Sequence, residues 1–562
     1  MVDIRSLKLT LLCMFIVHMV ERPVAACTSI LVTKGASSDG STFLTYAADS
    51  IDLYGELYYT PAGHHPASAM RDIYDWDTGK HLGQIRQTAH TFAVVGNMNE
   101  HQVVIGESTF GGREELKDPG GRIDYGSLIY IVLQRARTAR DAIRIMDELV
   151  SEYGYASAGE TFSIADPNEA WIMEMVGKGP KRTGSVWVAR RVPDGYITAH
   201  ANQARIRQFP MHDPTICLYA KDVVSFAREK GWFRGSDESF SFADTYAPLK
   251  GQTLRTCQTR IWSAFRRVAP SANLPTDYAK LLDSNNPLPL FIKPDRRLTL
   301  ADTFTLMRDH FEGTSLDLTQ GVGAGPHGLP DRWRPLKWKV DETEYINERP
   351  ISTQQTGFSF VAQVRAHLPD PIGGVLWFGV DDTYSTVYVP MYCGIRESPR
   401  AFASGTATFQ SFSWESAFWV FNFVSNYSYL RYRDMIRDVQ MVQQELESSF
   451  FARQAEVETT ALQMHKNTPD LARDYLTRYS AQQAQLTVNR WRQLGESLIV
   501  KYLDGNVRDE HGHVNEPGYA EQWYRRTARD CGARCRIPTL PENTTEEPPP
   551  PREPAKPLIT PR

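Results

Sequence analysis

The chain has 562 residues, of which 41% are hydrophobic and 23% charged, so it can bury a large core and is not a disordered protein. Its 62 Lys and Arg residues nearly balance its 66 Asp and Glu residues, which excludes the strong basic excess typical of a nucleic-acid-binding protein. A mean hydropathy of −0.40 argues against a protein with several membrane spans.

The first 26 residues are predicted to be a secretory signal peptide. Basic residues precede an apolar run over residues 9–20, which is shorter than the roughly 20 apolar residues of a membrane span. Residues 24–26 (VAA) provide the small side chains of a cleavage site, and we expect cleavage after Ala26. The mature protein is then expected outside the cell, in a periplasm or in the lumen of a lysosome or vacuole, with no membrane attachment.

Cleavage after Ala26 would make Cys27 the terminal residue, with a thiol and an α-amine on one residue. The pKa of an α-amine is about 8, so the amine can accept the thiol proton and leave a nucleophilic thiolate. Two other interpretations stay open. Cys27 is an ordinary cysteine near a processed terminus, or residues 24–27 (VAAC) form a lipobox and the thiol is lipidated.

The next segment predicts a β-hairpin that starts at the candidate nucleophile. Residues 27–33 (CTSILVT) and 41–47 (STFLTYA) have strand patterns, and SSDG between them is a turn signal. Asp49 is expected just past the end of the second strand. Further along, apolar residues recur near a spacing of 3.6 over residues 127–152, which predicts one long helix.

Strands and helices then mix in a pattern that predicts an α+β fold. Strands are predicted at residues 161–165, 169–175, 186–189, 196–201, 358–364, 374–378 and 385–389. Residues 413 to about 502 are predicted to be mostly helical, and the Pro-rich chain from residue 538 onward is expected to be disordered.

Six cysteines remain after the signal peptide, which contains the seventh. Cys531 and Cys535 are close in sequence and are the expected pair if a disulfide forms. They could instead be half of a zinc site, but no second cysteine pair lies nearby. His511 and His513 lack carboxylate or cysteine partners, so we expect no metal.

The segment CTSILVTKGASSDGSTFLTYAADS resembles the amino terminus of the PepD-type cysteine dipeptidases. These are N-terminal nucleophile hydrolases and are relatives of penicillin V acylase and bile salt hydrolase. Similar blocks continue in order at residues 96–109, 135–143, 165–177, 186–206, 310–333 and 349–394, so the resemblance extends to about residue 510.

The resemblance implies a four-layer αββα sandwich with a helical C-terminal region. Residues 27–340 would form the catalytic core and residues 341–515 the C-terminal part of the same hydrolase unit, with strands followed by long helices. Residues 516–562 would form an extension with the Pro-rich tail.

The resemblance also implies roles for individual residues. Cys27 matches the nucleophile, and Asp49 matches an aspartate that contacts the nucleophile's amine. Asn99 and Asn202 match two asparagines that donate to the oxyanion. Arg260 is our placement of an arginine expected near the nucleophile.

Some positions depart from the pattern or leave a choice open. Arg205 is the rival of Arg260. Tyr46 stands where the relatives often have an arginine, which puts arginine-assisted activation of the thiol in doubt. The block with Glu312, Asp317 and His327 lacks the Lys and Ser/Thr of a phosphate loop, so it is expected to shape the substrate site or a structural loop.

The predicted function is hydrolysis of dipeptides through a thioester on Cys27, with a small peptide as substrate and no cofactor. The oligomeric state is open, and a homo-oligomer is among the alternatives. One alternative function is an acylase acting on a non-peptide amide, such as an N-acyl amino acid or a penicillin-like compound. The other is a secreted or lipid-anchored binding protein without activity.

Overall fold

The structure, a computed structural model, describes residues 27–249, 254–275, 287–333 and 335–539. The predicted signal peptide and the Pro-rich tail from residue 540 onward lie outside the described residues. The chain divides into two compact units, the first ending at Asn515 and the second beginning at Glu516. The first unit contains both large sheets, and the second contains one short helix.

Six strands of the described chain form one antiparallel sheet in the order β14-β1-β2-β18-β19-β20. They are β1 (Ser29–Val32), β2 (Thr42–Asp49), β14 (Ile197–His200), β18 (Thr356–Val364), β19 (Val375–Val380) and β20 (Val389–Tyr392).

Eight further strands form a second antiparallel sheet in the order β15-β13-β12-β11-β10-β9-β8-β3. They are β3 (Tyr59–Thr60), β8 (Val94–Val95), β9 (Met98–Asn99), β10 (Val104–Gly111), β11 (Gly159–Ala165), β12 (Ala170–Gly177), β13 (Ser185–Arg191) and β15 (Cys217–Tyr219).

The remaining strands form two-stranded ribbons. These pair β4 (Gly63–His64) with β7 (His90–Thr91), β5 (Met70–Tyr74) with β6 (His81–Arg86), β16 (Lys337–Val340) with β17 (Thr343–Ile346), and β21 (Val507–Arg508) with β22 (Val514–Asn515).

The α-helices of the described residues are numbered in chain order. They are α1 (Tyr125–Leu133), α2 (Ala139–Tyr153), α3 (Val223–Glu229), α4 (Phe242–Tyr246), α5 (Thr259–Val268), α6 (Leu300–Met307), α7 (Asp370–Gly373), α8 (Ala417–Ser428), α9 (Tyr432–Asn467), α10 (Pro469–Lys501) and α11 (Glu521–Cys531).

The predicted N-terminal hairpin is confirmed, because β1 and β2 pair with Leu31 opposite Leu44. Every residue of both strands is buried, as expected for strands covered on two faces. Asp49 is the last residue of β2 rather than a residue beyond it, since β18 continues the pairing as far as Thr356 opposite Asp49.

The single helix predicted over residues 127–152 is wrong, because the structure has two helices, α1 and α2. The break follows from competing hydrogen bonds. The side-chain amide of Asn99 donates to the carbonyl groups of Leu133 and Ala136 at the end of α1. The Thr138 side chain accepts a hydrogen bond from the backbone N–H of Asp141 and so caps the start of α2.

Most other predicted elements are confirmed within a few residues. The strand predicted at residues 385–389 is wrong, because the N–H groups of Ser385 and Thr386 both donate to the carbonyl of Asp382 in a turn. The helical stretch at residues 413–502 is confirmed as α8, α9 and α10. Pro469 occupies the first turn of α10, where its missing N–H costs least.

The two large sheets contact each other through their inner faces. Ser29 of β1 donates to the hydroxyl of Ser163 on β11 at 2.7 Å. Gly106 of β10 permits a closer approach, because a Cβ there would lie only 3.2 Å from the Cβ of Tyr46 on β2. The two sheets are therefore held at close distance where β1 and β2 meet β10 and β11.

Helices cover these sheets through two separate apolar cores. One core joins the eight-stranded sheet to α1 and α2, and the other joins the six-stranded sheet to α5, α6, α8, α9 and α10. The fold is thus a mixture of helix and sheet with a helical C-terminal region. In the described part of the chain, we find no helix with the length and hydrophobicity of a membrane span.

The expected Cys531–Cys535 disulfide is not formed in this structure. All six cysteines of the described chain are free thiols, and the thiols of Cys531 and Cys535 are in hydrogen-bonding contact.

Candidate active site

Cys27 lies directly before β1 and is buried, with 3% of its surface exposed. Thr28 pairs with Ala47. Continuing that register by one residue places Cys27 opposite Ala48, so that Asp49 lies level with the peptide bond that precedes Cys27. The hairpin alone therefore puts the carboxylate of Asp49 next to the position of an α-amine on Cys27.

The thiol of Cys27 contacts two polar side chains from facing sheets. Its Sγ lies 3.5 Å from the hydroxyl of Tyr46 and donates to Oε1 of Glu107 at 3.3 Å. The Tyr46 hydroxyl donates to the same Oε1 at 2.5 Å. Tyr46, at the position where an arginine was expected, thus joins the nucleophile candidate to a carboxyl group.

A second carboxyl group accompanies Glu107. In the β10–β11 register Glu107 is opposite Phe162 and Thr109 is opposite Glu160, so Glu107 and Glu160 are diagonal neighbours on one face of the sheet. Both residues are buried, at 2% and 1% exposure. Burial raises the pKa of both carboxyls, and the charge of Glu107 raises the pKa of Glu160 further.

The surroundings of Cys27 keep its thiol protonated in this structure. Burial is the largest cause of a pKa raised well above the usual value, followed by the charges of Glu107 and Asp49. A hydrogen bond from Tyr46 and one from the backbone N–H of Asp49 act in the opposite direction. Formation of a thiolate therefore needs a base that accepts the thiol proton.

Arg260 ties the nucleophile candidate to Asn202. Its side chain, at 1% exposure, extends from α5 and donates through Nη1 to the carbonyl of Cys27 at 3.0 Å and to the hydroxyl of Thr28 at 2.8 Å. Nη2 donates to Oδ1 of Asn202 at 3.0 Å. A planar guanidinium with several donors can hold these acceptors at once, which a lysine cannot.

Asn202 follows β14 in the left-handed backbone region, with φ of 55°. Asparagine tolerates this region better than most residues. Its backbone N–H donates to the hydroxyl of Ser108 at 3.2 Å, and its side-chain amide donates to the carbonyl of Thr109 at 2.7 Å. The amide is thereby oriented between β10 and Arg260.

A buried polar chain supports this arrangement between the sheets. His200 hydrogen-bonds to Ser108 through Nδ1 and to Ser163 through Nε2, each at 2.6 Å. Burial lowers the pKa of His200 to about 3, and Arg205 and Arg260 add to that effect. His200 is therefore a neutral imidazole that orients Ser108 and, through it, Asn202.

Asp49 is fully buried but, unlike Glu107, has a cation beside it. Thr356 donates to its Oδ1 at 2.7 Å, and Arg349 lies 3.6 Å from its Oδ2. Burial raises the pKa of Asp49 to about 7, while Arg349 and the hydrogen bond from Thr356 lower it.

Asn99, on β9, contacts the end of α1, and none of its described hydrogen bonds is to Cys27. Its amide donates both hydrogens, to Leu133 and Ala136, at 2.7 Å each, and its Oδ1 accepts from His101 and Val103. The assignment of Asn99 to an oxyanion site stays a prediction, and it would require these hydrogen bonds to open.

Arg205, the rival of Arg260, contacts a different part of the molecule. Its guanidinium donates to the carbonyls of Ala199 and Pro289 at 2.5 Å each and lies over the ring of Phe265. It borders a cavity of about 600 Å³ that Cys27 does not line. Of the two arginines, Arg260 is the one in contact with Cys27.

The block of residues 310–333 forms loop contacts. Glu312 binds His310 and Arg267, and Asp317 accepts from the N–H groups of Gly313 and Thr319. The carbonyl of His327 accepts from the N–H of Arg433.

The two candidate histidines of the C-terminal region surround one carboxylate. Asp509 accepts from the backbone N–H groups of His511 and His513. Across the described ranges, no group of three or more His, Cys, Asp or Glu side chains is arranged as metal ligands.

Sequence reasoning missed Glu107 and Arg349 near Cys27, and it missed Glu160 beside Glu107. One signal was available, since Glu107 and Glu160 each interrupt a strand of otherwise small or apolar residues, VIGESTFG and GETFSIA. A carboxylate inside such a strand is rarely buried unless it is paired or functional, because removing its charge from water costs free energy.

The amino-acid sequence of the chain is similar to those of known peptidases. The model of peptidase family C69 matches residues 26–445. The chain belongs to this family and is an enzyme that cleaves peptide bonds.

Curated relatives agree with this family. The chain is 25% identical over 394 residues to a probable dipeptidase of Salmonella dublin, covering 66% of this chain and 82% of that protein. It is 23% identical over 398 residues to a probable dipeptidase of Latilactobacillus sakei, covering 67% and 76%. It is 24% identical over 422 residues to probable dipeptidase A of Streptococcus pyogenes, covering 70% and 81%.

Proposed function

We propose that this peptidase is a dipeptidase whose nucleophile is the thiol of Cys27, exposed together with its own α-amine by cleavage after Ala26. The observation that carries the proposal is the placement of Cys27 between the two sheets, where Arg260 binds both its carbonyl and the side chain of Asn202. The names of the relatives support dipeptides as the substrate class.

The proposed reaction begins with proton transfer from the Cys27 thiol to its α-amine. The thiolate attacks the scissile carbonyl carbon, and the amide of Asn202 stabilises the oxyanion. The α-ammonium then returns its proton to the leaving amine, which departs as the second amino acid. A water molecule attacks the thioester, releases the first amino acid and restores the thiol.

Asp49 is proposed to hold the α-ammonium of Cys27. The hairpin register supports this role, because Asp49 lies level with the chain just before Cys27. A positive amine between the thiol and Asp49 would lower the pKa of the thiol, which the remaining groups raise.

The four-layer sandwich of the N-terminal nucleophile hydrolases is part of the same proposal. Two antiparallel sheets in face-to-face contact support it, as do the two apolar cores that join each sheet to its own set of helices.

The alternative of an acylase for apolar N-acyl groups is less well supported. An apolar acyl chain bound at Cys27 would meet the carboxyls of Glu107 and Glu160, which are buried and costly to desolvate further. The binding-protein alternative requires a lipid on Cys27 or cleavage at another site.

The test compares three purified forms: a chain that begins at Cys27, the same chain with one additional alanine before Cys27, and Cys27→Ala. On a dipeptide panel the first form should be active. The other two should be slower by about 1,000-fold or more. Cys217→Ala, which removes a buried thiol on β15, is the matched control and should keep full activity.

Each alternative has its own outcome in this test. Full activity of the extended form would show that the α-amine is not the base. Cleavage of N-acyl amino acids without cleavage of dipeptides would favour the acylase. Mass spectrometry of the exported protein that finds a lipid on Cys27 would overturn the mechanism and favour the binding protein.

A further inference from the structure

Resting on the proposed function, we propose that Glu107 and Glu160 bind the α-ammonium group of the substrate. This contact would restrict the enzyme to substrates whose free amino terminus lies one residue before the scissile bond. It would account for cleavage of dipeptides from the amino end and for rejection of N-acylated compounds.

The two carboxyls are placed as a binding pair. They are diagonal neighbours on one face of the β10–β11 pair, and both are almost completely buried. Oε2 of Glu107 and Oε2 of Glu160 receive no hydrogen bond from any donor group of the described chain. Two buried acceptors that face each other need a proton or a cation between them.

Among the described residues, those that act most on the two carboxyls, besides burial itself, include no cation. The groups that most influence Glu107 are Tyr46, Glu160, Cys27 and Asp77, of which none is a cation. Those acting on Glu160 are Glu107, Thr109 and Asp77. Arg260 and Arg349, in contrast, interact with the side of Cys27 that faces Asp49.

The distance from the nucleophile fits a substrate with one residue on the amino side. The nitrogen and the carbonyl carbon of one amino acid are about 2.5 Å apart. Sγ of Cys27 is 3.3 Å from Oε1 of Glu107. These lengths allow an ammonium in hydrogen-bonding contact with Glu107 to place the next carbonyl carbon about 3–3.5 Å from the thiolate, which is an attacking distance.

Charge is conserved when the substrate binds. On this proposal the pair holds one proton and a single negative charge in the free enzyme, because two buried carboxylates this close together repel each other. The α-ammonium replaces that proton, which is released to water, so the occupied site also has one negative charge. A neutral N-acyl group cannot make this exchange.

The experiment uses two substrates that differ only in the group under test. One is the dipeptide that the wild-type enzyme cleaves best, and the other is its analogue with a hydroxyl in place of the α-amine. The variant is Glu160→Gln, because the thiol of Cys27 contacts Tyr46 and Glu107 rather than Glu160, so the rate of thiol alkylation can report separately on the nucleophile. Glu107→Gln is the second variant, and alkylation of Cys27 by iodoacetamide reports the thiol directly.

In the wild-type enzyme, kcat/KM should strongly favour the dipeptide. In Glu160→Gln the preference for the dipeptide over its hydroxyl analogue should fall by about 10- to 100-fold, because the charged hydrogen bond between the ammonium and Glu160 is lost. Most of this change should appear as a higher KM for the dipeptide. The alkylation rate should change less than twofold. Glu174→Gln is the matched control, because Glu174 is a buried glutamate opposite Thr161 and thus on the other face of the sheet.

Two results separate this inference from the proposed function. If the wild-type enzyme cleaves dipeptides through Cys27 but both Glu107→Gln and Glu160→Gln keep the full preference for the α-amine, the ammonium site is wrong and the dipeptidase stands. If the wild-type enzyme cleaves no dipeptide, the proposed function fails first. A preference lost equally in Glu174→Gln would also overturn the ammonium site, since the effect would be structural.

Discussion

Buried carboxylates in the helical layer differ from those beside Cys27 in how their charge is balanced. Glu458 on α9 accepts two hydrogen bonds from Arg365 at 2.7 and 2.9 Å, and Glu447 pairs with Arg308 at 2.5 Å. In these two pairs the chain itself supplies the arginine. Glu107 and Glu160 are diagonal neighbours on one face of the sheet, and in the described part of the chain none of the groups that act most on them is a cation.

The proposed ammonium site accounts for this contrast, because the carboxyl pair would receive its positive charge from the substrate. A buried carboxyl without a cation costs free energy, whereas a buried pair with good geometry costs much less. Proteins commonly accept such a cost at functional sites. The two regions should therefore respond in opposite ways to the same substitution.

The largest effect is expected from Glu458→Gln in the helical layer. This change leaves the guanidinium of Arg365 buried without its carboxylate and should destabilise the protein by about 3–5 kcal/mol. Thermal unfolding measures the loss. Glu107→Gln is the matched change and should leave the melting temperature unchanged or raise it; equal losses in both variants would remove the distinction between the regions.

Arg260→Lys is expected to lower kcat by about 100- to 1,000-fold. A lysine cannot hold the carbonyl of Cys27 and Oδ1 of Asn202 together, so the oxyanion donor loses its orientation. Steady-state kinetics on a dipeptide checks this. In Arg205→Lys the decrease in kcat should be less than a tenth of that in Arg260→Lys. A larger decrease in Arg205→Lys would assign the positioning role to Arg205 instead.

Stability is expected to fall as the pH rises from 5 to 7. The pKa values of Glu174 and Asp381 are raised to about 7 by burial, so between about pH 4 and 7 the folded state holds protons that the unfolded state has lost. Asp49 and Asp331, with pKa values also raised to about 7, act in the same direction, whereas His200, whose pKa is lowered to about 3, acts in the opposite direction below about pH 6.5.

Melting temperatures measured from pH 5 to pH 7.5 test this sign. The decrease should be on the order of 5 °C and smaller in Asp381→Asn, which keeps the polar contacts with Asn422 and Ser425. Glu344→Gln, which changes an exposed carboxyl on β17, should not alter the slope. A melting temperature that rises over the same interval would contradict the assignment of protonated buried carboxyls.

Tyr46→Phe should have the smallest effect, a decrease of about 2- to 10-fold in kcat/KM for the dipeptide. The change removes one donor from Glu107 and one neighbour of the thiol without removing a charge. Tyr388→Phe, which alters a buried tyrosine bonded to Ser359, is the control and should keep wild-type kinetics. An activity unchanged in Tyr46→Phe would show that Glu107 is positioned without this donor.

Several features of the molecule follow from short stretches of sequence. Local alternation and turn residues determine the hairpin of β1 and β2, and with it the position of Asp49 near the chain before Cys27. Helical spacing determines the long C-terminal helices. These signals act over a few residues. The resemblance added Asn202 and Arg260, and in the structure both residues are in contact around Cys27.

Only the tertiary structure decided how distant groups combine. Arg260 reaches Cys27 across 233 residues of sequence, and Glu107 across 80. The same packing places the amide of Asn99 at the end of α1, where it donates to two backbone carbonyls. Local patterns report which face of a strand is buried, but the charge balance around a buried side chain depends on which elements meet there, and that is a property of the folded chain alone.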